Sequence, residues 1–125
     1  MDCIFCAIAV GDLPADIIAQ DEHAVAFLDL HPTSAGHTLV IPRRHVADLA
    51  EDSSALVEAT GLVAELSGRL QQQLGADAMN LVVNSGELAG QEVFHLHVHL
   101  VPRYRDQTAA RRERAQIVEL LTATT

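Results

Sequence analysis

Three histidines alternate along the run Val93-Phe94-His95-Leu96-His97-Val98-His99-Leu100-Val101. In an extended strand, side chains two apart share a face, about 6.5–7 Å from one to the next. His95, His97 and His99 would then form a row of imidazoles, with Leu96, Val98 and Leu100 turned into a core. A single strand histidine is ordinarily structural. Three in alternation each bring two ring nitrogens that need partners when buried, which core packing does not explain. Two chemistries use such a row: metal ligation, and attack on a phosphorus centre. A second cluster, Cys3-Ile4-Phe5-Cys6, holds both cysteines of the chain. Thiols at that spacing suit a zinc knuckle, a redox pair or an inert buried pair. A redox pair ordinarily follows a strand and opens a longer helix, and no strand is read ahead of Cys3. All eight basic residues are Arg, which removes Lys-dependent P-loops and Schiff-base chemistry. No G-x-S-x-G elbow occurs.

The elements that must position these groups follow from pattern. Residues 3–10 predict a short helix ended by Gly11-Asp12. Residues 17–20 and 24–29 predict two strands around the turn 21–23, and residues 37–42 a third after the breaker-rich loop 30–36. The clearest helix starts near Asp52 or Ser53 as N-cap and runs to Leu74. Leu56, Ala59, Val63, Leu66, Leu70 and Leu74 share its inner face, and Gly75 ends it. Residues 78–83 predict a fourth strand, 93–101 a fifth stopped by Pro102, and 107–121 a helix with Ile117, Leu120 and Leu121 as its apolar patch. Strands gathered around one long helix without βαβ alternation predict an α+β fold with a mostly antiparallel sheet.

The 125 residues fit one domain, and 49% hydrophobic residues supply a core. A net charge of −9 argues against general nucleic-acid binding. No apolar run approaches the roughly 20 residues of a membrane span, and no secretory signal is read, so a cytoplasmic location is expected. His23 in a turn and His31 in a loop are expected to be exposed, as are Asp77, Glu87, Arg103 and Arg105. Arg103 and Tyr104 also stand close enough after the histidine run to touch a leaving group.

The run His95-Leu96-His97-Val98-His99-Leu100-Val101 resembles the H-φ-H-φ-H-φ-φ signature of the histidine-triad (HIT) family, with φ apolar. Further segments stand in family order: Cys3-Ile4-Phe5-Cys6, Ala26-Phe27-Leu28-Asp29, Gly36 to Pro42 followed by His45, Asn84, and Gly90-Gln91. The resemblance reaches to about Tyr104 and is nearest to the small Hint-like bacterial branch. It implies a HIT-like fold with a five-stranded sheet, residues 1–105 forming the HIT domain and 106–125 a helical tail of that domain.

The same resemblance implies roles. His97 would attack the α-phosphorus of a nucleotide, leaving a nucleotidyl-histidine for water to release. A backbone carbonyl near His95 would hold its other nitrogen. His99 would bind phosphate and protonate the leaving group, with His37 and His95 completing the catalytic set. Asn84 and the amides of Gly90, Gln91 and Glu92 would cradle the phosphate. Asp29 would bind the ribose, and Phe5, Leu13, Phe27 and Leu30 the purine. A structural zinc would sit on Cys3, Cys6, His45 and His95. The partners implied are a purine nucleotide-containing small molecule and a second copy in a homodimer. Glu92 departs from the Ser of the best-known eukaryotic Hint-type proteins, and a carboxylate there repels phosphate. The expected activity is hydrolysis of nucleoside phosphoramidates or related adenylates. Three alternatives remain: a dinucleoside polyphosphate hydrolase, a three-His zinc metallohydrolase, and a non-enzymatic nucleotide-binding regulator.

Overall fold

The computed structural model describes residues 3–122; residues 1–2 and 123–125 of the expected domain and tail lie outside them. Chain order is α1 (Ile4–Ala9), β1 (Ile17–Gln20), β2 (Ala24–Leu28), β3 (Thr38–Pro42), α2 (Leu49–Asp52), α3 (Ser54–Leu74), β4 (Ala78–Val82), a 3₁₀ turn (Glu87–Ala89), β5 (Val98–Arg103), α4 (Gln107–Ala110) and α5 (Arg114–Thr122). The five strands form one sheet in the order β1-β2-β3-β5-β4, with every adjacent pair antiparallel. This is the expected α+β architecture.

The sheet carries a core on each face, which is why β2 and β3 are buried along their whole length. Ala24, Ala26, Leu28, Val40, Val98 and Leu100 pack with α3 and α5. Val25, Phe27, Leu39 and Ile41 pack with Phe5 and Ile8 of α1. Directly opposed residues share a face, and Leu39 opposes His99. His99 therefore projects on the α1 side of the sheet.

The histidine strand is shorter than expected. β5 begins at Val98, so His95 and His97 lie in extended and bent chain just ahead of it. Its ladder with β3 starts at Val40–Val98. Beyond that point β3 runs into Pro42, which has no N–H to donate. The Pro42 carbonyl accepts from the His95 ring instead (2.7 Å). Leu96 is fully buried with Val46 and Ala55, and its amide donates to the Val46 carbonyl (2.7 Å).

The long helix differs at its start. Asp48 caps the short α2 by accepting from the Glu51 amide. Ser53 is helical (φ −66°, ψ −19°) and caps nothing, while Asp52 Oδ1 accepts from Ser54 N (3.0 Å). Gly75 stops α3 as expected. Its buried face adds Ala55 and Leu62 to the anticipated set, with Leu56 partly covered. The expected single tail helix is broken in two between Ala110 and Arg114, and Ile117 and Leu121 of α5 are core residues, whereas Leu120 is exposed.

Gly36 enters β3 with φ +89°, and a Cβ there would overlap Leu74 Cδ1 and press on Pro102. Gly36→Ala is expected to cost about 2 kcal/mol from backbone strain and overpacking. Thermal melting should show this as a fall of roughly 7 °C; an unchanged melting temperature would mean the turn has room to relax.

Candidate functional site

On the α1 face a cleft of about 590 Å³ opens, in the size range of small-molecule sites. Its walls include Phe5, Phe27, Asp29, Leu30, His37, Asn84, Gly90, Glu92, His97 and His99, all expected from the sequence. Ile4, Ile8, Pro14, Ala15, His31, Leu39 and Val93 also line it. α1 supplies three of these apolar groups at i, i+1 and i+4, a pattern too short to separate wall from core in sequence. Pro14 and Ala15 take the place expected for Leu13, which is half-exposed and outside the lining. His31 was expected merely to be exposed, yet it stands in the wall.

Gln91 is a correction. Its side chain is buried and engaged. Nε2 donates to the carbonyls of Ala47 (2.6 Å) and Val93 (3.1 Å), and Oε1 accepts from Gly86 N (2.8 Å). It pins the 84–92 loop and does not line the cleft, and two of the amides expected to cradle phosphate are engaged within the loop: Gly90 N donates to the Glu87 carbonyl (3.0 Å) and Gln91 N to the Gly86 carbonyl (3.2 Å). Arg103 and Tyr104 do not reach the cleft either. Arg103 Nε donates to Asn80 Oδ1, and the Tyr104 hydroxyl to the Ala35 carbonyl.

Hydrogen bonds settle which nitrogen of each histidine is free. The His97 Nδ1 donates to the His95 carbonyl (2.8 Å). Its Nε2 therefore keeps a lone pair, in a ring only 6% exposed that still borders the cleft. Phe5 packs edge-on against His97, with centroids 5.2 Å apart. At His37, the Thr33 amide donates to Nδ1 (3.0 Å), which leaves the proton on Nε2. That nitrogen faces His99 Nδ1 at 3.0 Å and Asp29 Oδ2 at 3.4 Å. His99 accepts at Nδ1 and so carries its own proton on Nε2. The rings of His97 and His99 are 4.9 Å apart. One unprotonated nitrogen and one N–H are thus presented side by side.

Burial pushes His37, His97 and His99 below the ordinary histidine value, with the Asp29 charge opposing in each case. His99 is lowered further by His97 and His37, and His37 by Arg103. These three imidazoles are therefore neutral near pH 7. Asp29 is held in place: its Oδ1 accepts from the His31 amide (2.9 Å) and its carbonyl from Arg114 Nη1 (2.9 Å). Arg114, in α5, also donates to the Leu28 carbonyl (3.1 Å) and pairs with Asp16. Nothing in the local sequence around Arg114 announces these partners, which lie 85 to 98 residues away.

His95 looks away from the cleft and is fully buried. Its Nε2 donates to Pro42 O, so Nδ1 is unprotonated. That Nδ1 lies 3.4 Å from Cys3 Sγ, 3.5 Å from Cys6 Sγ and 3.3 Å from His45 Nδ1, and Cys6 Sγ lies 3.3 Å from His45 Nδ1. Four soft donors converge from α1, the loop after β3 and the chain before β5. Two S and two N donors at such separations match the demands of a tetrahedral zinc site, and the Pro42 carbonyl supplies the usual outer partner of a ligating imidazole. Burial and the Cys3 thiol push Cys6 up to about 11, a disfavoured thiolate that a dication would stabilise. The three triad imidazoles do not meet at one point: His95 faces the thiols, whereas His97 and His99 face the cleft. A three-His catalytic zinc centre thus has no geometric support.

Residues 10–106 match the family described as HIT domain. The chain is similar to an uncharacterized 16.1 kDa HIT-like protein of Mycoplasma pneumoniae, at 45% identity over 82% of this chain and 72% of that protein. It is 37% identical to the adenosine 5'-monophosphoramidase of Schizosaccharomyces pombe over 86% of this chain and 78% of that enzyme. A crystal structure of a zinc-bound histidine triad family protein from Mycobacterium smegmatis has a TM-score of 0.82 at 38% identity, covering 98% of this chain and 92% of that one.

Proposed function

This chain belongs to the HIT domain family, and from that premise we propose that it hydrolyses purine nucleoside phosphoramidates or related adenylates through a nucleotidyl-histidine on His97. The observation that carries this reading is the bond from His97 Nδ1 to the His95 carbonyl, which leaves Nε2 unprotonated beside the N–H of His99. In the first step Nε2 bonds to the α-phosphorus and the phosphorus–nitrogen bond breaks. The departing amine takes its proton from His99 Nε2. In the second, water attacks the phosphorus and returns a proton to His99, and nucleoside monophosphate leaves with His97 restored. Asp29 would bind the ribose and Phe5, Phe27 and Leu30 the base; Asn84 would bind phosphate oxygens, and Gly90, with no side chain, would leave room beside it. Incubation with adenosine phosphoramidate labelled at phosphorus should give an acid-labile label on the peptide containing His97. A protein that turns over substrate without ever carrying label would refute the covalent route.

Cys3, Cys6, His45 and His95 would hold a structural zinc, whose contribution is a cross-link between α1 and the base of the histidine segment. The acidic charge and the absence from the described residues of a helix long and apolar enough to cross a membrane fit a cytoplasmic protein acting on small molecules rather than nucleic acid. A homodimer is expected, and the outer edge of β4, with exposed Leu81 and Val82, offers strand pairing to a second copy. Sedimentation equilibrium should return about twice the 13.5 kDa chain mass.

Activity should depend on pH with a definite sign. Protonation of His97 removes the attacking lone pair, so kcat/KM should be flat above about pH 7 and fall at a pH below the ordinary 6.5. Stability should follow the same direction. His37 and His99 are depressed in the folded chain, so the unfolded chain binds protons first as pH drops below about 6.5. Stability is complete above that value and is lost progressively beneath it, which thermal melts between about pH 5 and 8 would record.

A further inference from the structure

We propose that Glu92 selects substrates whose leaving group carries a cationic amine, in preference to an anionic polyphosphate. The inference rests on the hydrolase reading of the cleft. Its basis is the charge of the walls. The lining includes two carboxylates, Asp29 and Glu92, and no Arg; the chain has no Lys. Polyphosphate recognition ordinarily draws on Arg or Lys, and this wall has neither.

The two carboxylates are not equivalent. Asp29 is engaged by the His31 amide and by His37. Glu92 is exposed, and its side chain makes no hydrogen bond or ion pair among the described residues. The Gln91 bonds anchor the loop beneath it, so the position of its backbone is fixed even though its side chain is free. A base between Phe5, Phe27 and Leu30 and a ribose at Asp29 bring the α-phosphate to His97 and His99. The polar lining still unassigned is His31, whose amide holds Asp29, together with Asn84 and Glu92, and the leaving group extends toward the latter two. Each further phosphate would add negative charge against a carboxylate. An ammonium group at that place meets attraction instead.

The test uses two AMP phosphoramidates of matched length, one made from pentylamine and one from 1,5-diaminopentane, together with diadenosine tetraphosphate. The readout is the ratio of kcat/KM between substrates within each protein, so any general loss on substitution cancels. Wild type should favour the diamine conjugate about fivefold, the upper range for one exposed charge pair, and the ratio should shrink at high salt. Glu92→Gln should bring it to about one, and Glu92→Lys should invert it and raise the relative rate on the tetraphosphate. Equal rates in wild type, or a preference that persists in Glu92→Gln, overturn the proposal. Calorimetry of the two conjugates on His97→Ala protein separates it from the hydrolase reading. If nothing is turned over, that reading fails; a diamine preference in binding then still supports the role of Glu92, and equal affinities refute it.

Discussion

Replacing His97 by Ala should lower kcat/KM on an AMP phosphoramidate by about 10³-fold or more, while AMP binding stays within a few-fold of wild type. The asymmetry follows from geometry. His97 is the only imidazole of the cleft whose Nδ1 is bonded to a main-chain carbonyl, and that bond frees Nε2 for attack. On the proposed reading, nucleoside affinity would come from other residues, the apolar walls and Asp29. Steady-state kinetics and calorimetry on the same preparation test both halves. Undiminished turnover would remove His97 from the chemistry and favour a metal-dependent or water-direct route. Retained structure with lost binding would instead make His97 an affinity determinant.

The next largest effect is expected at the thiols. With zinc present at about 1,000 times its Kd, the metal adds about 4 kcal/mol to stability, and Cys6→Ser should remove most of that. Metal analysis should report one zinc per chain in wild type and far less in the variant. The melting temperature should drop by roughly 15 °C, and a chelator should have the same effect on wild type. Chemistry should suffer less than stability, because the cluster meets the cleft through α1 and the His95 backbone, and none of its four donors lines the cleft. A chelator that abolishes turnover without shifting the melt would contradict a structural role.

The fold was legible in the sequence wherever one face alternates against another. The inner face of α3, the stop at Gly75 and the five strands follow from periodicity and turn chemistry. What was not legible depended on contacts between distant segments. The histidine strand was expected from Val93, but its first half is not paired, because Pro42 stands where the ladder would continue. Asp52 and Ser53 read as cap candidates by residue type, yet Ser53 is helical and makes no cap bond, because the short α2, capped by Asp48, runs directly ahead of α3. In the site, the triad order and the Cys pair are visible as pattern, whereas the partnership of His45 and His95 with the thiols came through family resemblance. Leu13 and Gln91 were misplaced for different reasons. A loop between α1 and β1 can offer either Leu13 or its neighbours Pro14 and Ala15 to the cleft. A Gln after Gly90 looks equally suited to a ligand or to its own main chain, and only the carbonyls of Ala47 and Val93 decide it.

Arg114 bears on how the molecule could be shortened. The span that matches the HIT family, residues 10–106, leaves out both α1, with its thiols and Phe5, and α5, with the guanidinium that grips the carbonyls of Leu28 and Asp29. A minimal protein cut to that span would keep every histidine of the triad. It would lose the guanidinium that braces the main chain of Asp29 and the α1 residues Ile4, Phe5 and Ile8 that wall the cleft. Both flanks of the matched span therefore shape the cleft, and engineering in either should be treated as engineering of the proposed site.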